Sequence, residues 1–241
     1  MGYDFDWSVL TGEYGQGLIS GTWVTLKLVF WSLTLALIIG IAFGVLRWRG
    51  GRLTEAMCWS YIEFARNTPP LVQILFWYFS IGFIFPKWLI LVVRDFGIEF
   101  AAVVIALALY HGAFIAEVVR AGLNSIPKGQ YEASGALGLS FGEMMRWVIL
   151  PQAFRIIIPP LTNETVSLIK NTSLALAVGV AEITYHAKYI DAYTFRAVEA
   201  LCAATAIYLV LCLGMSGLGA LASRHLSRSV KSAHAVGSGL D

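Results

Sequence analysis

The sequence predicts an all-α integral membrane protein with five transmembrane helices, its amino terminus outside and its carboxyl terminus in the cytoplasm. Three observations carry that expectation. The chain is 58% hydrophobic and 13% charged with a mean hydropathy of +0.71, beyond the range of soluble globular domains. Five stretches approach the roughly 20 apolar residues that cross a hydrocarbon layer. Lys and Arg collect on alternate connections, the bias that cytoplasmic loops carry.

Taken in order, residues 1–17 read as an extracytoplasmic segment. Asp4, Asp6 and Glu13 occur there without Lys or Arg, so the basic start of a secretory signal is missing and the first apolar stretch is expected to stay as a span. The spans are placed at residues 18–46, 58–85, 100–119, 159–183 and 197–222, within a transmembrane domain over 18–230. Arg47, Arg49 and Arg52 follow the first; Arg120, Lys128, Arg146 and Arg155 surround the central loop; Arg224, Arg228 and Lys231 follow the last. Only Lys87, Arg94, Lys188 and Arg196 fall on the other side. An odd number of spans fits that asymmetry. Residues 231–241 hold too little apolar material to fold and are expected to be a disordered cytoplasmic tail.

Several function classes are excluded. A net charge of +2 gives no electrostatic footprint for nucleic acid. Cys58, Cys202 and Cys212 form no CxxC pair and are expected to pack as small hydrophobes, not to hold metal. No GxxxxGK[ST] occurs, so the chain has no phosphate-cradling loop and is not expected to hydrolyse ATP; HExxH is absent too.

The loop over residues 129–152 breaks the apolar pattern. Pro127, Lys128 and Gly129 end the preceding helix, a short helix follows from Gln130 to Leu137, and Gly138 suits its left-handed C-terminal position. Ser140 and Glu143 have capping-box spacing. Phe141, Met144, Met145, Val148 and Ile149 then lie on one helical face. The reading is two short helices in a bend, too short to span. An interfacial helix would use Arg146 and Trp147, but the small surface of Ala133, Gly135, Ala136 and Gly138 suits a protein partner.

EASGALGLSFGEMMRWVILPQA resembles the EAA loop of ATP-binding-cassette importer permeases. Glu132, Ala133, Gly138 and the Ile149-Leu150-Pro151 ending match, with Ser134 at a position that is often Ala. YIEFARNTPPLVQILFWYF, AFIAEVVRAGLNSIPKGQYEA and LPQAFRIIIPPLTNETVSLIKNTSLA extend the likeness to the polar amino acid permeases (histidine, glutamate, glutamine, arginine, opines), most similar to the glutamate/aspartate type. The resemblance implies a type I ABC importer permease fold in a bacterial cytoplasmic membrane. It also implies a cytoplasmic ATPase dimer that binds the ATP, a second permease subunit, identical or related, and an extracytoplasmic amino acid binding protein. Glu132, Ala133, Ser134, Gly138, Leu139 and Ser140 would then couple to the ATPase. No cofactor of its own is implied.

Ionisable groups inside spans cost about 2.5 to 3.5 kcal/mol each on insertion scales, so those present are candidates for a solute path. Arg66, Asn67 and Thr68 precede Pro69 and Pro70, which should break or kink the second span. A broken helix beside an Arg can hold a carboxylate; alternatively Arg66 snorkels or pairs with Glu63. Glu117 and Arg120 share a helix face and match a zwitterion, or form an intrahelical ion pair; in permeases of the resembling family this pair is implicated in substrate contact. Pro159 and Pro160 are expected to open the fourth span, whose Asn163, Glu164 and Lys170 offer polar contacts along one face; Asn171, Thr172 and Ser173 also suit helix packing. Lys27 reads as a snorkelling residue at the outer end of the first span. His111 reads as a packed, hydrogen-bonded histidine. The rival reading is an ion-gradient transporter with Glu117, Glu164 and His111 as a proton relay. Arg66, Arg120 and Lys170 against Glu117 and Glu164 lean towards an acidic or neutral solute.

Overall fold

The computed structural model describes residues 4–237. Asp6 caps a 3-10 turn, Trp7–Leu10, accepting from the Ser8 hydroxyl and, at 3.0 Å, the Ser8 amide. Both bonds favour the carboxylate and hold Asp6 below its ordinary value. The Asp6 amide donates to the buried Glu199 at 2.9 Å, which ties the amino terminus to the start of the last helix.

Helix α1 (Gly12–Arg49) is 38 residues, about 57 Å at 1.5 Å per residue. Its buried stripe is Leu18, Gly21, Thr25, Leu28, Ser32, Ala36, Gly40 and Gly44, mostly small residues three or four apart. Small stripes let membrane helices approach closely, where van der Waals contact replaces the hydrophobic drive that lipid lacks. The stripe meets α5 (Ile98–Asn124) along its carboxyl half. A Cβ at Gly40 would stand 2.5 Å from Ile115 Cγ2, and one at Gly44 would stand 2.7 Å from the Ala116 carbonyl oxygen. Near its other end, Gly17 and Gly21 take the ring of His186.

α5 is the hub, buried on nearly every face. α3 (Pro70–Ile84) covers one side through Ile74 against Val103 and Leu107. α2 (Arg52–Asn67) packs Ile62 and Ala65 on Ala113 and Ala116. Between α3 and α5 lies α4 (Lys87–Phe96), a ten-residue amphipathic helix where the sequence reading placed only a charged loop. After α5 come α6 (Lys128–Ala136) and α7 (Phe141–Met144), then a π turn, Met145–Ile149, and α8 (Leu150–Asn171). A 3-10 stretch, Thr172–Val178, ends at Gly179 with φ +82°, and α9 (Ile183–Thr194) leaves it at a 48° bend. α10 (Ala197–Gly237) turns Leu209, Val210, Leu213, Leu218 and Leu221 outward, as a helix facing hydrocarbon does.

Two expectations need correction. Pro159 and Pro160 do not open the fourth span; they lie inside α8, which arrives already helical from the central loop. Proline costs a helix the N–H owed to the residue four back, but a span tolerates this where neighbouring groups seal the gap. The second helix of the central loop is likewise not a short separate piece: it runs through the π turn into α8. Among the described residues, three helices are long and apolar enough to cross a membrane, α1, α5 and α10 to Leu226, with the bent α7 to α9 stretch as a fourth. The second expected span, residues 58–85, is split into α2 and α3 of 16 and 15 residues, each short of a bilayer's width. Cys58 and Cys212 are buried as expected, while Cys202 is exposed. The expected tail from residue 231 starts within α10; residues 238–241 lie outside the described residues.

Gly44→Leu places a side chain against the Ala116 carbonyl and Val119. Overpacking of this kind costs about 1–3 kcal/mol, so the variant is expected to melt several degrees below the wild type in detergent, measured by fluorescence thermal unfolding, whereas Gly82→Leu, which meets nothing within 4 Å, should not.

Candidate functional site

The break between α2 and α3 begins with two missing donors. Thr68 is extended at φ −105° and ψ 129°, and Pro69 continues at ψ 135° before Pro70 starts α3. Pro69 supplies no N–H to the Ala65 carbonyl four residues back. Gln73 replaces it: its side-chain amide donates to Ala65 O at 2.9 Å and to Thr68 O at 3.2 Å. The sequence reading did not single out Gln73, although a buried glutamine one turn past a double proline is the available signal. Asn67 and Thr68 turn back on their own helix, Asn67 to the Glu63 carboxylate at 2.9 Å and Thr68 to the Phe64 carbonyl at 2.7 Å. The Glu63 carboxylate is thus engaged by Asn67, and Arg66 is exposed, its guanidinium 5.1 Å from the Phe114 ring centre, within cation–π range.

Phe114 opens a continuous chain of contacts across α5. Its ring lies 5.1 Å from Tyr110, and Tyr110 stands edge-on to His111. His111, fully buried, has Nδ1 3.4 Å from Glu164 Oε2 and Nε2 3.1 Å from Asn171 Nδ2. The tautomer with its proton on Nδ1 satisfies both: it donates to the carboxylate and accepts from the amide. Asn171, read from sequence among the packing residues, joins α8 to α5 here. Arg66 and Glu164 thus mark the two ends of one aromatic and polar strip. Asn163 and Lys170 are exposed on another face of α8, so Glu164 does not share their surface.

Glu117 is differently placed. One oxygen accepts from Arg120 Nε and Nη2 at 3.1 and 2.9 Å, and the other is ion-paired with Arg47 of α1. The sequence reading paired Glu117 and Arg120 but missed Arg47, which only the α1–α5 contact brings within reach. Both carboxylate oxygens are occupied.

The bend over residues 128–152 is fixed by local bonds. Gly138, at φ +78°, closes α6 with Leu139 N–H on Ser134 O and Gly138 N–H on Gly135 O, the paired bonds of a Schellman end. The capping box is complete: the Ser140 amide donates to Glu143 Oε2 at 2.9 Å and the Glu143 amide to Ser140 Oγ at 3.4 Å. Met144, Met145, Val148 and Ile149 pack inward on Ile126, Ile115 and Ala153, while Phe141 lies under Arg49 at 4.1 Å. Glu132, Ala133, Gly135 and Ala136 face out, and Leu137 projects at 80% exposure. Ser134 instead turns inward, donating to Gln130 O at 2.6 Å. The outward surface is therefore small residues around one apolar knob, and Leu137 is the member that the sequence reading did not place there.

The profile of the family described as "Binding-protein-dependent transport system inner membrane component" matches residues 33–228. The chain is 38% identical over 228 residues to the glutamine transport system permease protein GlnP of Escherichia coli (strain K12), covering 94% of this chain and 98% of that one. It is 31% identical over 222 residues to the glutamate/aspartate import permease protein GltJ of the same strain, covering 88% and 90%. Among solved structures, an amino acid ABC transporter with histidines matches at 34% identity and a TM-score of 0.78, over 93% of this chain and all of that one. The MetNI methionine ABC transporter matches in fold at 21% identity and a TM-score of 0.74.

Gln73→Leu leaves the buried Ala65 carbonyl without a donor, a loss of about 1–3 kcal/mol; a lowered unfolding midpoint, partly restored by Gln73→Asn, is expected. Ser140→Ala removes a cap worth about 0.5–2 kcal/mol, and hydrogen exchange at the Glu143 amide should quicken several-fold without a change at Ala153.

Proposed function

Because the chain belongs to the family of binding-protein-dependent transport system inner membrane components, we propose that it is one half of a translocation path for polar amino acids of the glutamine and glutamate class. At the coarser level it is an amino acid ABC importer permease of the bacterial inner membrane. The observation that carries the finer reading is mechanical. From Phe141 the chain is helical through to Asn171, so the bend that presents Leu137 and the residue that meets His111 belong to one rod. Phe141 to Glu164 is about 35 Å at 1.5 Å per residue.

A cytoplasmic ATPase pressing on Glu132, Ala133, Leu137 and Gly138 would displace that rod and with it Glu164 and Lys170. Paired permease subunits, identical or related, would enclose the path, and an extracytoplasmic binding protein would supply the solute. Within the path, Arg66 suits the solute's carboxylate and Glu164 its ammonium. Glu117 takes no part in this contact, since Arg47 and Arg120 hold both of its oxygens. Likeness to both GlnP and GltJ supports a side chain ending in an amide or a carboxylate.

In proteoliposomes holding the assembled transporter, ATP should drive uptake of labelled glutamine or glutamate with the proton gradient collapsed; uptake that stops on collapse means an ion-driven mechanism instead. Gly138→Val forces a β-branched residue into positive φ and is expected to abolish ATP-driven uptake while the chain remains membrane-inserted. Arg66→Gln and Glu164→Gln each remove a charge-assisted contact of about 1.5–3 kcal/mol, so each should lower uptake about 10- to 100-fold with the solute-independent ATPase rate retained.

A further inference from the structure

Glu13 takes no part in the pathway above, and among the described residues its carboxylate has no hydrogen bond or ion pair. It stands on the first turn of α1, at the end of the helix remote from the coupling bend. Counted from Arg47 at 1.5 Å per residue, Gly17 lies about 45 Å and Glu13 about 51 Å along α1; a tilt of about 20° still leaves Glu13 about 48 Å out. A bilayer is about 30 Å thick across its hydrocarbon and about 40–45 Å with its headgroups. Trp23, exposed on the same helix, suits the aromatic belt of that surface. Glu13 lies about 15 Å beyond Trp23, so this end of α1 stands in water.

Here α1 and α9 pack through Leu18, Ile183, Ala187 and Ile190. Between their outer turns lies a pocket of about 260 Å³, lined by Glu13, Tyr14, Gly17, His186, Tyr189 and Ile190. The His186 ring is seated where side chains on Gly17 and Gly21 would stand 2.9 Å and 2.7 Å from it. Tyr14 and Tyr189 supply two aromatic walls, their ring centres 6.4 Å apart and their planes inclined at 53°. A cation is attracted to an aromatic face within about 6 Å of the ring centre, so one cation between these rings lies within range of both. Tyr193 packs against Tyr189 with ring centres 4.5 Å apart and backs that wall. No Lys or Arg contributes to the lining. The neighbouring cations are engaged elsewhere: Lys188, which flanks Tyr189, donates to Asp191 at 3.3 Å, and Arg196 is paired with Glu199 at 3.6 Å.

We propose that this pocket binds an alkylammonium ion from the aqueous phase, the cation lying between Tyr14 and Tyr189 and paired with Glu13. The lining selects the occupant. An anion meets a carboxylate and no Lys or Arg. A divalent metal finds too few ligands, since the described residues hold no cluster of three His, Cys, Asp or Glu. A lipid ammonium does not reach the site, which stands beyond the headgroups. An alkylammonium ion carries the charge that the carboxylate neutralises and a methylene surface that the tyrosine rings and Ile190 cover. Glu13 and Tyr14 belong to α1 while His186 and Tyr189 belong to α9, so the occupant bridges the two helices.

The test is saturation-transfer NMR of butylammonium with the full chain in its membrane assembly, held in maltoside detergent at pH 8, where an imidazole is neutral. Butylammonium is expected to bind, and 1-butanol and butyrate, of the same chain length, are not. Glu13→Gln and Tyr189→Leu are each expected to weaken binding about two- to fivefold and the pair together about tenfold. Both replace exposed side chains, so the fold is retained. Glu99→Gln, which removes an exposed acid at the start of α5, should leave binding unchanged, as should transfer to nanodiscs of phosphatidylethanolamine. Binding of butanol equal to that of butylammonium, binding that Glu13→Gln leaves intact or that Glu99→Gln weakens as much, or competition from phosphatidylethanolamine would each overturn the proposal.

Discussion

A backbone carbonyl in hydrocarbon has no water to accept from, so a departure from helix at membrane depth needs a donor within the protein. That requirement explains why the polar break at Pro69 and Pro70 can exist at membrane depth. Gln73 stands in for the missing Pro69 amide on Ala65 O, and once that gap is closed the chain can hold Arg66, Asn67 and Thr68 beside α5 without unravelling α2. Elsewhere the same rule acts on side chains. The hydroxyls of Thr22, Thr34, Ser60, Thr165 and Thr205 each return to the carbonyl four residues back, so they carry polar chemistry into apolar helices without leaving a donor stranded.

Close approach of α1 and α5 sorts the charged side chains of the spans into two kinds. Because Gly40 and Gly44 let the helices touch, Arg47 reaches Glu117 and, with Arg120, closes that carboxylate off. Removing one member of such a cluster leaves a charge unmatched, which gives it a structural value independent of any solute. Arg66, Glu164 and Lys170 remain outside it. Arg66 and Glu164 balance each other and Lys170 lies on another face of α8, so the charges of the strip by themselves favour neither an acidic nor a basic solute. Glu164 is held by His111 alone among the described side chains, and so keeps acceptor capacity for an ammonium.

How far this was legible in the sequence follows the range of each interaction. The break at Pro69, the left-handed Gly138 and the capping box of Ser140 and Glu143 depend on neighbours within six residues, and all were readable. The Arg47–Glu117 and His111–Glu164 contacts join residues far apart in sequence, and no local pattern announces them. Proline misled in one place: Pro159 and Pro160 have the local signature of a helix start, but the helix from Phe141 reaches them already formed. The amphipathic pattern of α4 spans only ten residues, too short for a membrane crossing, so it reads as part of a loop. The glycines of α1 went unread, because which partner they admit depends on α5 and on His186.

The continuity of α8 with the central loop raises a mechanical question that its own irregularities answer. A rod that only transmitted force would be straight and fully bonded, yet this one contains Pro151, a π turn in which the Leu150 amide reaches Met145 O, and Pro159 with Pro160. π turns and prolines are where helices bend, because each loosens the regular bond to the residue four back. Here the loosened points lie between the rigid bend at Gly138 and the contact of Glu164 with His111. On the proposed coupling, a displacement at the bend would not be passed on as pure translation; part would become rotation at these two loosened points. Rotation swings Glu164 about the α8 axis, and a hydrogen bond of 3.4 Å is sensitive to a few degrees of it. On the proposed coupling, a helix built this way would turn a push at the bend into a change of partner at Glu164, which a straight, fully bonded helix would not do.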